Sequence, residues 1–107
     1  MSETHPANDL DTMQAAAAQA CALLKVLANP DRLLLMCQLS QGELSVGELE
    51  TQLGIRQPTL SQQLGVLREN GLVTARRDGK NIFYSVASPE ALTVMTELYE
   101  QFCANGK

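Results

Sequence analysis

The residues able to do chemistry in this chain fall into three sets. The first is thiol: Cys21, Cys37 and Cys103, in a chain whose one histidine is His5. A thiolate can attack a disulfide or a persulfide, or ligate a metal. The second is a dense run of amide, hydroxyl and guanidinium groups: Arg56, Gln57, Thr59, Ser61, Gln62, Gln63 and, a little further on, Arg68. Such groups can bond nucleic-acid bases and phosphates, and on an isolated helix they equally make an ordinary solvated face. The third is cationic: Arg76, Arg77 and Lys80, either side of Asp78-Gly79. There is no Ser/His/Asp set, no phosphate-binding glycine loop and no cluster of metal-ligand residues, so the chain is read as a non-enzyme with no cofactor and no metal site.

Charge distribution favours the binding reading over the solvated one. The net charge is −4 and the pI about 4.8, a total that alone argues against nucleic acid. Residues 56–80, however, hold five basic side chains against Glu69 and Asp78, a local balance of +3 that leaves −7 elsewhere. Only the facing surface matters within a Debye length of roughly 8–10 Å. At 107 residues the chain is one domain, 1–107, small enough to gain core by dimerising. No apolar run approaches the ~20 residues that span a bilayer, and the acidic start MSETHPANDLD has no signal-peptide pattern. The expected location is cytoplasmic, where three cysteines are reactive or buried thiols rather than a disulfide framework.

Mainly helical elements must position these groups. Residues 1–8 read as a tail. Asp9 or Asp11 caps a first, Ala-rich helix running to about Ala28. Asn29-Pro30 caps and opens a second, Asp31–Leu39, apolar enough to lie in the core. Ser45 and Glu48 form a capping box for a third, Val46–Leu53, which Gly54 ends. A short turn leads to a fourth helix, Gln57–Asn70, with Leu60, Leu64 and Leu67 facing inward. Two helices so joined form a helix-turn-helix. Two strands follow, Leu72–Arg76 and Asn81–Val86, with Asp78-Gly79 as the hairpin signal. Ser88-Pro89-Glu90 opens a last helix to about Cys103, stopped by Asn105-Gly106. Its stripe of Leu92, Met95, Tyr99 and Phe102, extended by Val94 and Leu98, exceeds what one core requires and predicts a partner helix.

The order α-α-α-α-β-β-α is that of a winged helix-turn-helix flanked by terminal helices. The segments LLKVLANPDRLLLMCQL, ELSVGELETQLGIRQPTLSQQLGVLRENGLV and RRDGKNIFYSV resemble the ArsR/SmtB family of bacterial repressors over about residues 20–102. The resemblance implies a homodimer held by the first and last helices, bound to a palindromic double-stranded DNA operator and released by an inducer. It implies that Gln57, Thr59, Ser61, Gln62 and Gln63 face DNA, with Arg56 able to reach phosphate where family members often carry Ser. Arg76, Arg77 and Lys80 would then meet phosphate or the minor groove from the wing.

The family's thiolate metal site reads like ELCVCDL, whereas this chain reads ELSVGEL, with Ser45 and Gly47 in place of the cysteines. The family's last-helix zinc or nickel site uses His, and this last helix has none. The placement of Cys37 and Cys103, in RLLLMC and YEQFC, resembles the persulfide-sensing BigR/SqrR-like, HlyU-related branch. There two matching cysteines are bridged by a disulfide or a longer polysulfide, and DNA is released. An inserted sulfur could link thiols too distant for a plain disulfide, which needs Cα atoms within roughly 7 Å. The resemblance thus implies reactive sulfur species as inducer and Cys37 and Cys103 as the redox-sensing pair. Peroxide, or a thiol-binding metal or metalloid, is the alternative inducer. Cys21 has no counterpart in that pattern and reads as structural or incidental.

Overall fold

Capping chemistry sets the helix boundaries. The structure, a computed structural model, describes residues 9–104, with side chains as far as residue 102. The tail assigned to residues 1–8 and the stop assigned to Asn105-Gly106 lie outside the described residues. Helix α1 spans Leu10–Leu27 with Asp9 as N-cap, and α2 spans Pro30–Leu39. At the start of α2 the Asn29 side chain accepts the Arg32 N–H at 3.0 Å, which satisfies one of the amides that a helix N-terminus leaves unpaired. Helix α3, Val46–Leu53, has the expected capping box: Ser45 Oγ accepts the Glu48 N–H at 3.1 Å and Glu48 accepts the Ser45 N–H at 2.8 Å. Gly54 closes it at φ 70°, a left-handed conformation that costs glycine little.

Helix α4 covers Thr59–Glu69 and α5 covers Pro89–Tyr99, continued by a π-helical turn, Glu100–Ala104. The strands number three rather than the two expected. Leu44–Ser45 (β1) pairs antiparallel with Asn81–Val86 (β3), which also pairs with Val73–Asp78 (β2), in the order β1-β3-β2. A two-residue strand shows no alternation, so β1 is invisible to periodicity. Strand β2 also runs further than expected. Asp78 lies opposite Asn81, so the loop is Gly79-Lys80, with Gly79 at φ 64°, the φ signature of a hairpin turn with glycine in first place. The expectation ended β2 at Arg76 and left the next two residues, Arg77 and Asp78, to the connection that Asp78-Gly79 signals. They continue the ladder where the hairpin passes beyond the core and both its faces meet solvent.

The core gathers Leu35, Met36 and Leu39 of α2, Leu49 of α3, Leu60, Leu64 and Leu67 of α4, and Ala91 and Met95 of α5. These positions recur every three or four residues and so lie along one side of each helix. On α5 and the turn after it, the apolar residues of the expected stripe divide between core and surface. The inward line is Ala91 and Met95, with Val94 and Leu98 packed beside it, while Leu92 is exposed and Phe102 is 73% exposed. A helix apolar on more than one side cannot be oriented from periodicity alone. Helix α1 is the least embedded element. Only Leu27 is buried, and Leu10, Met13 and Leu24 are exposed, Leu10 to 66%. No helix among the described residues is long and apolar enough to cross a membrane.

Candidate nucleic-acid interface and cysteine site

Leu60, Leu64 and Leu67 anchor one side of α4 in the core, so its opposite side must face out. Ser61, Gln62 and Arg68 are exposed there, Arg56 and Gln57 are exposed just before the helix, and Thr59 and Gln63 are half-buried. The expected start of this helix is corrected: Gln57 and Pro58 form the preceding turn and α4 begins at Thr59. Pro58 occupies the N-cap position and offers no side-chain cap. Gln57 reaches over it, and its Oε1 accepts the Ser61 N–H at 3.1 Å and the Ser61 hydroxyl at 2.7 Å. Gln57 therefore takes the capping role that Arg56 cannot, and its amide oxygen is turned back onto its own helix.

Gln63 is held as well. Arg32 of α2 donates from Nη1 to Gln63 Oε1 at 2.9 Å and from Nε to the Val26 carbonyl at 2.6 Å. Sequence reasoning passed over Arg32, although there was a signal. A cation in the first turn of a helix opposes the helix dipole, so Arg32, two places after Pro30, needed a reason from elsewhere.

In the wing, register separates the two neighbouring arginines. Arg76 lies opposite Phe83 and Arg77 opposite Ile82, so they project from opposite faces of the hairpin. Arg76 is engaged within the chain. Its Nε and Nη2 both bond the Glu43 carboxylate at 2.8 Å, Asp78 lies 3.9 Å away, and the guanidinium sits 4.6 Å from the Phe83 ring centre. The Arg76 hydrogen bond holds the Glu43 carboxyl below its ordinary range and raises Arg76 in turn. Glu43, next to β1 in the chain, thus pins the wing to the β1 end of the sheet. Arg77 and Lys80 are exposed and have no acidic partner among the described residues.

Of the cysteines, Cys37 is half-buried on α2 and packs against the core. Cys103 falls in the π-helical turn that continues α5, and its side chain lies outside the described ones. Helices α2 and α5 pack against each other, so the helix that carries Cys37 lies against the helix that the Cys103 turn continues. Cys21 is exposed on α1. Ser45, standing where the family's metal site has a thiol, is committed to the capping box. No group of three or more His, Cys, Asp or Glu able to hold a metal occurs among the described residues.

Residues 29–75, from the α2 cap into β2, match the bacterial regulatory protein, arsR family. The biofilm growth-associated repressor of Agrobacterium fabrum is 57% identical over 95 residues, covering 89% of this chain and 81% of that one. This chain belongs to the ArsR family. The crystal structure of the transcriptional repressor BigR from Xylella fastidiosa superposes with a TM-score of 0.84 at 52% identity, covering 92% of this chain and 98% of that one. Reduced HlyU from Vibrio cholerae also gives 0.84, at 40% identity, covering 88% and 99%. With these neighbours, the fold is the ArsR winged helix-turn-helix. Helices α3 and α4 are its helix-turn-helix, and the β2–β3 hairpin is its wing.

Proposed function

We propose that this ArsR-family transcriptional repressor acts as a homodimer on a palindromic operator and releases it when Cys37 and Cys103 are bridged by sulfane sulfur. The observation that carries the sensing part is the packing of α2 on α5, with Cys37 half-buried on the first and Cys103 in the turn continuing the second. One thiolate attacks a polysulfide and keeps a sulfur chain, expelling a shorter hydropolysulfide. The second thiolate attacks that chain and displaces hydrosulfide. The two cysteines lose two electrons, which leave with the reduced sulfur. Closing the bridge constrains α5 against α2 and so alters the surface that α5 offers a second copy.

Two features support dimerisation. Exposed large apolar side chains gather on α1 (Leu10, Met13, Leu24), on α5 (Leu92) and on the turn that continues it (Phe102), a grouping that suits contact with a second protein surface. Between the two helices lies an open groove of about 530 Å³, lined by Ala16, Ala20, Leu23, Val26 and Val94 among others. DNA contact falls to the exposed face of α4 and to the wing: Arg56, Gln57, Thr59, Ser61, Gln62, Gln63 and Arg68, with Arg77, Lys80 and, where DNA competes with Glu43, Arg76.

The test is operator release measured by mobility shift at fixed salt, with polysulfide, peroxide, disulfide and metal ions as separate arms. Cys37→Ser and Cys103→Ser should bind DNA as the parent does and stay bound under polysulfide. Release of both variants on treatment would defeat the paired-thiol mechanism.

A further inference from the structure

The direction in which Gln63 presents its amide is dictated by Arg32. A guanidinium carries only donors, so the Gln63 atom that Nη1 meets at 2.9 Å must be the carbonyl oxygen, and the amide cannot be flipped. The guanidinium is itself anchored, because Nε bonds the Val26 carbonyl at 2.6 Å. That carbonyl belongs to the last turn of α1, where helical carbonyls lack a helical partner. Arg32 and Gln63 are both half-buried, so this bond competes with little water. The Gln63 oxygen is therefore turned into the junction of α1, α2 and α4, and its Nε2 hydrogens are left pointing away from that junction.

This arrangement limits what Gln63 can read. A glutamine recognises adenine by directing both ends of its planar amide at one base edge, accepting from N6 and donating to N7. An amide whose oxygen is held inside the protein cannot do so. Gln57 is similarly committed, its oxygen bonded to Ser61. Gln62 is exposed and makes no side-chain hydrogen bond among the described residues.

We propose that Arg32 is a specificity-determining positioning residue. It fixes Gln63 as a donor toward DNA, able to meet phosphate, guanine or thymine oxygens, and leaves Gln62 as the one glutamine of α4 open to bidentate adenine contact. The inference rests on α4 facing DNA, as proposed above.

The test begins with the duplex that the parent protein selects from a randomised library. Each adenine of that duplex is replaced in turn by purine, which lacks the N6 amino group, and binding is compared with and without Gln63→Met. In the parent, Gln63→Met should weaken binding several-fold, by the same factor whichever adenine is replaced. Arg32→Met, reselected on the same library, should gain an adenine that purine replacement penalises roughly fivefold or more, because the Gln63 amide is then free to turn. The inference is overturned if Gln63→Met already couples to one adenine in the parent, if Gln63→Met changes nothing, or if Arg32→Met selects the parental sequence. The Gln63→Met arm leaves the Arg32–Val26 bond intact, so it decides the matter even if Arg32→Met folds poorly. A parent protein that enriches no sequence would defeat the DNA-binding reading itself, a result distinct from any of these.

Discussion

Arg76 and Arg77 are neighbours of identical chemistry, yet they should contribute unequally to DNA binding. Each cation that neutralises a phosphate contributes about −0.9 to the slope of log affinity against log salt concentration. In the proposed dimer each wing residue would act twice, so losing one contact should make the slope shallower by about 1.8. Between about 50 and about 200 mM salt, a fourfold change, that is roughly a twelvefold smaller loss of affinity. Arg77 has no acidic partner among the described residues and should show this full effect as Arg77→Gln. Arg76 is already matched by the forked Glu43 carboxylate at 2.8 Å, so its charge is largely cancelled before DNA arrives. Arg76→Gln should change the slope by well under half as much, and Arg76→Gln with Glu43→Gln should resemble the parent. Mobility shifts or fluorescence anisotropy over a salt series read these slopes directly. Equal slope changes for the two single variants would refute the reasoning from register and pairing.

Other outcomes follow from the same geometry. Leu64→Ala, at a side chain 1% exposed in the core, should cost about 2–5 kcal/mol, read as a lower denaturation midpoint at fixed protein concentration. Glu43→Gln should loosen the wing, measured as faster amide exchange in β2 and β3. The Glu43 carboxyl is held below its ordinary value of 4.5, so its contribution is complete above that pH and is lost as pH falls through the depressed value, where parent and variant should converge. Leu24→Glu on exposed α1 should shift sedimentation toward monomer while leaving the helical circular dichroism nearly unchanged.

The sequence carried the fold wherever local chemistry carried it. The Asn29 cap, the Ser45–Glu48 box, Gly54 and Ser88-Pro89 mark boundaries through hydrogen bonds made within four residues. The inward leucines of α4 were legible because only one period fits them. What escaped depends on contacts far apart in the chain. Arg32 meets Gln63 across 31 positions and Arg76 meets Glu43 across 33, and no spacing rule joins such pairs. Strand β1 exists only because β3 comes to lie beside it. Which apolar residues of α5 turn inward was not legible either, because those buried in the core and those left outside it share one helix.

Ser45 has a double position. It is the last residue of β1, opposite Phe83, and it is also the N-cap of α3. No residue is left between sheet and helix to act as a joint, so the wing and the helix-turn-helix are welded into one reading head. A head joined in this way would answer a distant signal by moving as a unit more readily than by changing its own grip. In a two-fold assembly of the kind proposed, a signal would have to act on the separation and tilt of two such heads. That would be felt as a mismatch with the helical pitch of DNA, with each half-site still recognised correctly.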